Sequence, residues 1–197
     1  MSETKAKNCW QKVLFGAPAE KNASRKIAYI AVITAVVVVA NMFEFKLAET
    51  QFSLTIFVSA IAGILIGPVF GFAAGFLGDL VGFLYNSSGF DYLPWIGLSL
   101  GAIAFLSGLI VGGLHSKSGA FLYVKLSLVC VLTFLLCTVA INTTAFWLLY
   151  SKVDYWTYLV SSLFVQGQIW NSLVNYVLLF IAVPALNKIK PLKLYIR

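Results

Sequence analysis

Long apolar runs alternate with short polar punctuation along this chain, and their spacing sets its architecture. Apolar stretches cover 27–43, 52–66, 68–85, 94–114, 121–150 and 158–185. A helix rises about 1.5 Å per residue and the hydrocarbon core of a bilayer is about 30 Å thick, so about 20 apolar residues cross it. The second run is short for a full span, while the fifth is long enough to tilt or to project from the bilayer. Gly67-Pro68 parts the second run from the third, because proline disfavours helix in the residue before it and suits a first turn. "NSSGFDYLP" (86–94), "HSKSG" (115–119) and "SKVDYW" (151–156) read as polar connections. The first run starts abruptly after Ser24-Arg25-Lys26 and is longer than the apolar core of a secretory signal, so it is kept as a spanning helix. The pattern predicts an all-α integral membrane protein of six transmembrane helices.

Composition strengthens that reading. Of 197 residues, 60% are hydrophobic and 11% charged, whereas soluble domains carry roughly a quarter charged residues. Charge then orients the chain. With both termini cytoplasmic, all 14 cations except Lys46 and Lys152 fall inside, as the positive-inside rule expects. Three parts follow: a basic cytoplasmic segment 1–26, a six-helix membrane domain 27–187 and a basic tail 188–197. Orientation and anionic lipid explain the net charge of +7, and nucleic acid is not needed as a partner.

The chemistry is sparse. There is no phosphate-binding glycine loop, HExxH or CxxC, so the chain offers no ATPase site and no metal site of its own. Cys9, Cys130 and Cys137 read as free thiols, and His115 is the single histidine.

Small residues are patterned instead. Gly67, Gly71, Gly75, Gly78 and Gly82 form one seam along the third helix, and Gly97, Gly101, Gly108 and Gly112 form a row on the fourth. In lipid such rows let helices approach closely. The first helix carries Ala28, Ala31 and Ala35. Together with "IAGILIGPVFGFAAGFLGDLVG" and "GLSLGAIAFLSGLIVGGL", these features resemble the substrate-binding S component of an energy-coupling-factor (ECF) vitamin transporter. The resemblance covers roughly residues 25–185 and leans to the folate, queuosine-precursor and cobalamin branch. It implies a subunit of a prokaryotic plasma membrane that captures a vitamin from outside. It also implies docking, through Ala28, Ala31 and Ala35, on a membrane T component bound to two ATPases that hydrolyse the ATP.

Polar and aromatic residues collect in the outer half. The loop 44–51 carries Glu44, Lys46 and Glu49; the loop 86–94 carries Asn86, Asp91 and Tyr92, with Trp95 just beyond. Asn142 and Trp147 follow on the fifth helix, and Gln166, Gln168, Trp170, Asn171 and Asn175 on the sixth. Buried amides cost a few kcal/mol each unless bonded. As single residues they read equally as interhelical glue; as a cluster beside tryptophans they read as a ligand site. Asp79, the lone acid inside a span, lies about 18 Å along the third helix. It is either bonded to a neighbouring helix or loop, or in contact with ligand.

For the ligand, arginine is the natural partner of a carboxylate. Where folate members carry one early in the last helix, this chain reads "YLVSSLFVQGQ". Amides and aromatics without arginine lean towards cobalamin, with folate or a queuosine precursor as the alternative. Two rival classes remain: a stand-alone secondary transporter coupled through Asp79, and a membrane enzyme drawing on Asp79 and His115.

Overall fold

The computed structural model describes residues 13–15, 22–47, 50–85, 92–114 and 119–189. α1 is Ala23–Met42. A short antiparallel hairpin follows, β1 (Glu44–Leu47) and β2 (Thr50–Ser53), pairing Phe45 with Phe52 and Lys46 with Gln51. α2 is Thr55–Ile66, α3 Pro68–Tyr85 and α4 Pro94–Gly113. α5 runs through Gly119–Thr133, a π-helical stretch Phe134–Thr143, and Thr144–Tyr150. α6 is Tyr155–Val160, continued by a π-turn over Ser161–Val165, and α7 is Gln168–Asn187.

Among the described residues, five helices are long and apolar enough to cross a membrane: Ala23–Met42, Pro68–Tyr85, Pro94–Gly113, Ala120–Tyr150 and Gln168–Asn187. α2 is a shorter helix packed against α3 and α4. At 12 residues it is about 18 Å long, too short to span. Nine of those 12 residues are buried, including Ile56, Ser59, Ala60 and Ile66. Protein surrounds it on most sides, so its ends need partners from other helices rather than from water.

One core joins Ile56, Ala60 and Ile64 of α2 to Ile103 and Val111 of α4, Leu126 and Val129 of α5, and Leu179 and Val183 of α7. A smaller one joins Val37 of α1 to Ala62 and Ile66 of α2 and Ala74 of α3. Between them α2, α3 and α4 cross at backbone contact. A Cβ on Gly63 would overlap the Ala104 carbonyl, and one on Gly71 would lie 2.6 Å from the Gly63 Cα. The glycine row of α3 therefore serves several partners. Gly71 and Gly75 admit α2 and α4, while Gly78 and Gly82 admit Val37 and Asn41 of α1.

Three features depart from the sequence pattern. The segment 44–53, expected as loop at its start and helix at its end, is a hairpin. The last apolar run is two helices, because Gly167 takes φ 75°, the left-handed region where a side chain is disfavoured. The fifth helix is underwound across ten π-helical residues. There the Thr143 hydroxyl donates to the Thr138 carbonyl five residues back at 2.9 Å, and Ser99 of α4 reaches the Cys137 carbonyl at 3.4 Å. Extended π-helix is rare and usually marks a functional or strained site.

Candidate functional site

The approach of Gly82 to Asn41, of Ser53 to Asn171 and of Thr143 to Gln168 brings the β hairpin, the start of α4, the end of α5 and the start of α7 to one end of the bundle. That end holds most of the sequence-predicted site. Asp79 projects from α3 towards the start of α4, where Gly97 leaves room for it. A Cβ on Gly97 would lie 2.7 Å from the Tyr92 hydroxyl, 3.1 Å from Asp79 Oδ2 and 3.1 Å from the Phe76 ring. The two polar groups thus converge over a bare Cα. Burial, then the charge of the nearby Asp79 carboxylate, pushes Tyr92 up to about 12. Its hydroxyl therefore stays protonated throughout the physiological range. Its ring rests 5.2 Å from that of Phe83, which fixes the direction of the hydroxyl.

The amides of α7 meet a different demand. Leu54 stands at the N-cap of α2 and has no side-chain acceptor for the free amides of that helix. Asn175, fully buried, supplies one: the Phe57 N–H donates to its Oδ1 at 2.9 Å. Its Nδ2 donates to the Ser53 carbonyl at 2.7 Å and to the Asn171 carbonyl at 2.8 Å. The Ser53 N–H in turn donates to Asn171 Oδ1 at 3.1 Å. Asn171 and Asn175 are thus bonded to one another and to the β2–α2 junction. The sequence pattern named both residues but not Ser53 or Phe57, since nothing local marks a cap supplied from 118 residues away.

The remaining candidates divide by position. Gln168 Oε1 lies 3.5 Å from the buried Thr143 hydroxyl, joining α7 to the π-helical stretch. Next to Thr143, the Asn142 Oδ1 is buried with no hydrogen-bond partner among the described residues, as is the hydroxyl of Ser162 on α6. Ser162 escaped sequence notice because a serine in an apolar run carries no signal of its own. Trp147 donates through Nε1 to the Val153 carbonyl at 2.9 Å and meets the Tyr155 ring edge-on at 5.3 Å, bracing the α5–α6 turn. Trp95 is 50% exposed, Trp170 55%, and Gln166 is exposed as well, so these three face outward. Asn86 lies outside the described residues, as do Cys9, Glu49, Asp91 and His115. Among the described residues no three His, Cys, Asp or Glu side chains converge.

On the flank of the bundle, Ala28, Ala31 and Ala35 are all exposed, as are Val32, Val36 and Val39 of the same helix. Val37 and Asn41 on the opposite side of α1 are buried against α3.

A helical membrane bundle with a polar cluster at one end is the build of a membrane subunit that captures a ligand. Its family is specific. Residues 21–190 match the family described as ECF-type riboflavin transporter, S component, and the chain belongs to that family. The bundle is also similar to a solved structure, the crystal structure of FolT bound with folic acid. The TM-score is 0.62 at 20% sequence identity, over 80% of this chain and 92% of that one. No curated protein sequence matches. Membership makes the chain a transport subunit and sets aside the membrane-enzyme reading.

Proposed function

We propose that this S component captures folate from outside a prokaryotic plasma membrane. It docks on a T component bound to two ATPases and releases the vitamin inside, with both of its own termini cytoplasmic. The observation that carries the substrate is the Asp79–Tyr92 pair over Gly97. A pterin presents an amino group beside a ring N–H, two donors that a carboxylate accepts side by side. The Tyr92 hydroxyl converges on the same space over Gly97. The likeness of the bundle to FolT bound with folic acid supports the same reading.

The lean towards cobalamin loses its basis. It relied on free amides, yet Asn171 and Asn175 are engaged with the backbone of Ser53 and Phe57. The objection to folate weakens too, because "YLVSSLFVQGQ" forms α6 and the break at Gly167 rather than the start of the last spanning helix. A missing arginine there is no longer a missing residue of α7. Lys152, exposed in the α5–α6 turn, is a cation within the same end of the bundle for a carboxylate tail.

The family description favours riboflavin as a second reading. Its ring edge has a different pattern, with an N–H between two carbonyls, and asks mainly for donors. The deciding experiment titrates detergent-purified protein with folic acid, riboflavin, cobalamin and a 7-deazaguanine queuosine precursor. Folic acid is expected to bind, and Asp79→Asn to weaken it about 10–100-fold, the worth of a hydrogen bond to a charged group. Riboflavin or cobalamin binding in the absence of folate binding overturns the substrate. A 7-deazaguanine shares the pterin's donor edge, so its binding in place of folate overturns folate while retaining the role of Asp79.

A further inference from the structure

We infer that Asn171 and Asn175 are positioning residues for substrate binding: they fasten the base of the β hairpin and the first turn of α2 to α7. This goes beyond the substrate-capture reading above and rests on it. The hairpin is two strands of four residues, a size that is marginally stable by itself in water. Its last residue, Ser53, gives both backbone polar groups to α7, the N–H to Asn171 Oδ1 at 3.1 Å and the carbonyl to Asn175 Nδ2 at 2.7 Å. Two residues on, the Ser53 and Thr55 hydroxyls pair at 3.0 Å, and Phe57 is held by Asn175 Oδ1 at 2.9 Å. Strand end, N-cap and first helical turn are all tied, directly or through one neighbour, to one face of α7.

The arrangement follows from the shortness of α2. A helix too short to span begins inside the bundle, where its first amides meet no water. Leu54 at its N-cap offers no oxygen, so the cap comes from another helix. The 3.6-residue period sets Asn171 and Asn175 one turn apart on α7, and Asn175 Nδ2 also bonds Asn171 Oδ1 at 3.2 Å. The hairpin and Tyr92 belong to the same end of the bundle. Loosening Ser53 therefore loosens the wall of the site and speeds escape of the ligand.

The test uses Asn171, whose side-chain bonds to Ser53 and Asn175 both run through Oδ1. Asn171→Ala removes that acceptor and Asn171→Asp keeps one. Amide hydrogen exchange at Ser53 is followed in ligand-free protein, and vitamin release by stopped-flow on the loaded protein. In Asn171→Ala, exchange and release should both rise on the order of tenfold, as loss of the bond from the Ser53 N–H implies. Asn171→Asp should restore most of both. Full loss of affinity in Asn171→Asp with Ser53 still protected places the amide nitrogen on the ligand and overturns the proposal. So does Asn171→Ala leaving exchange and release unchanged. The exchange arm needs no ligand, so it judges the clamp separately from the choice of vitamin. Asn175→Ala, which orphans more groups and endangers folding, is not required.

Discussion

At the scale of single residues, the bundle depends on positions where a side chain is missing. Gly63 and Gly97 show two versions of this. At Gly63 the neighbour is backbone, the Ala104 carbonyl of α4, and neither helix has a flexible part to yield. Gly63→Ala should destabilise the purified protein by about 1–3 kcal/mol or more, the range for overpacking a tight core; a thermal melt in detergent measures it, and an unchanged melt refutes the crossing. At Gly97 the neighbours are the tips of side chains, the Tyr92 hydroxyl and Asp79 Oδ2, which swing more easily than backbone. The sequence singled out both Asp79 and the glycine rows. It did not show that they meet at Gly97, because Asp79 and Gly97 sit in different helices and the link depends on how those helices cross.

At the scale of elements, helix existence was legible and helix ends were not. Apolar runs of about 20 residues are a strong signal because lipid leaves the backbone few alternatives. The breaks obey weaker rules. "VQGQ" lies inside an apolar run, and only the left-handed φ of 75° at Gly167 turns it from an interruption into a helix boundary. "EFKL" alternates polar and apolar residues as a strand does, but "AETQ" breaks the alternation and the charges also suit a loop. The π-helical stretch Phe134–Thr143 has no marker of its own, since its Thr143-to-Thr138 and Ser99-to-Cys137 bonds are read only in three dimensions. The Gly167 break carries a prediction. Gly167→Ala places a Cβ in the left-handed region at about 1–2 kcal/mol, while asparagine, which tolerates that region, should cost less. A melting temperature lowered in the order alanine, asparagine, glycine supports the break as a fixed joint. Equal melting of all three variants means that α6 and α7 are free to merge.

At the scale of the whole molecule, the question is what covers α1. Ile27 is 68% exposed, Val32 61%, Val36 53% and Val39 50%, and lipid alone would accept all of them. Lipid gains nothing, however, from alanines among those valines, since acyl chains need no close backbone approach and helices do. A row of Ala28, Ala31 and Ala35 on the face opposite buried Val37 is suited to a partner helix, and S components of this family in general pair with a membrane T component. The clearest probe is Ala31→Trp, introduced on a surface that is open in the isolated subunit. It should leave the fold and vitamin affinity of the isolated protein intact, because Ala31 lies on the flank while Asp79, Tyr92 and Gly97 lie on α3 and α4. Uptake by the assembled transporter should fall on the order of tenfold or more, a tenfold loss corresponding to about 1.4 kcal/mol of docking energy. Retained uptake with the bulky residue would remove α1 from the docking face. Accumulation of vitamin by the subunit alone in liposomes, without ATP or partners, would favour the secondary-transporter reading, with Asp79 as its coupling acid.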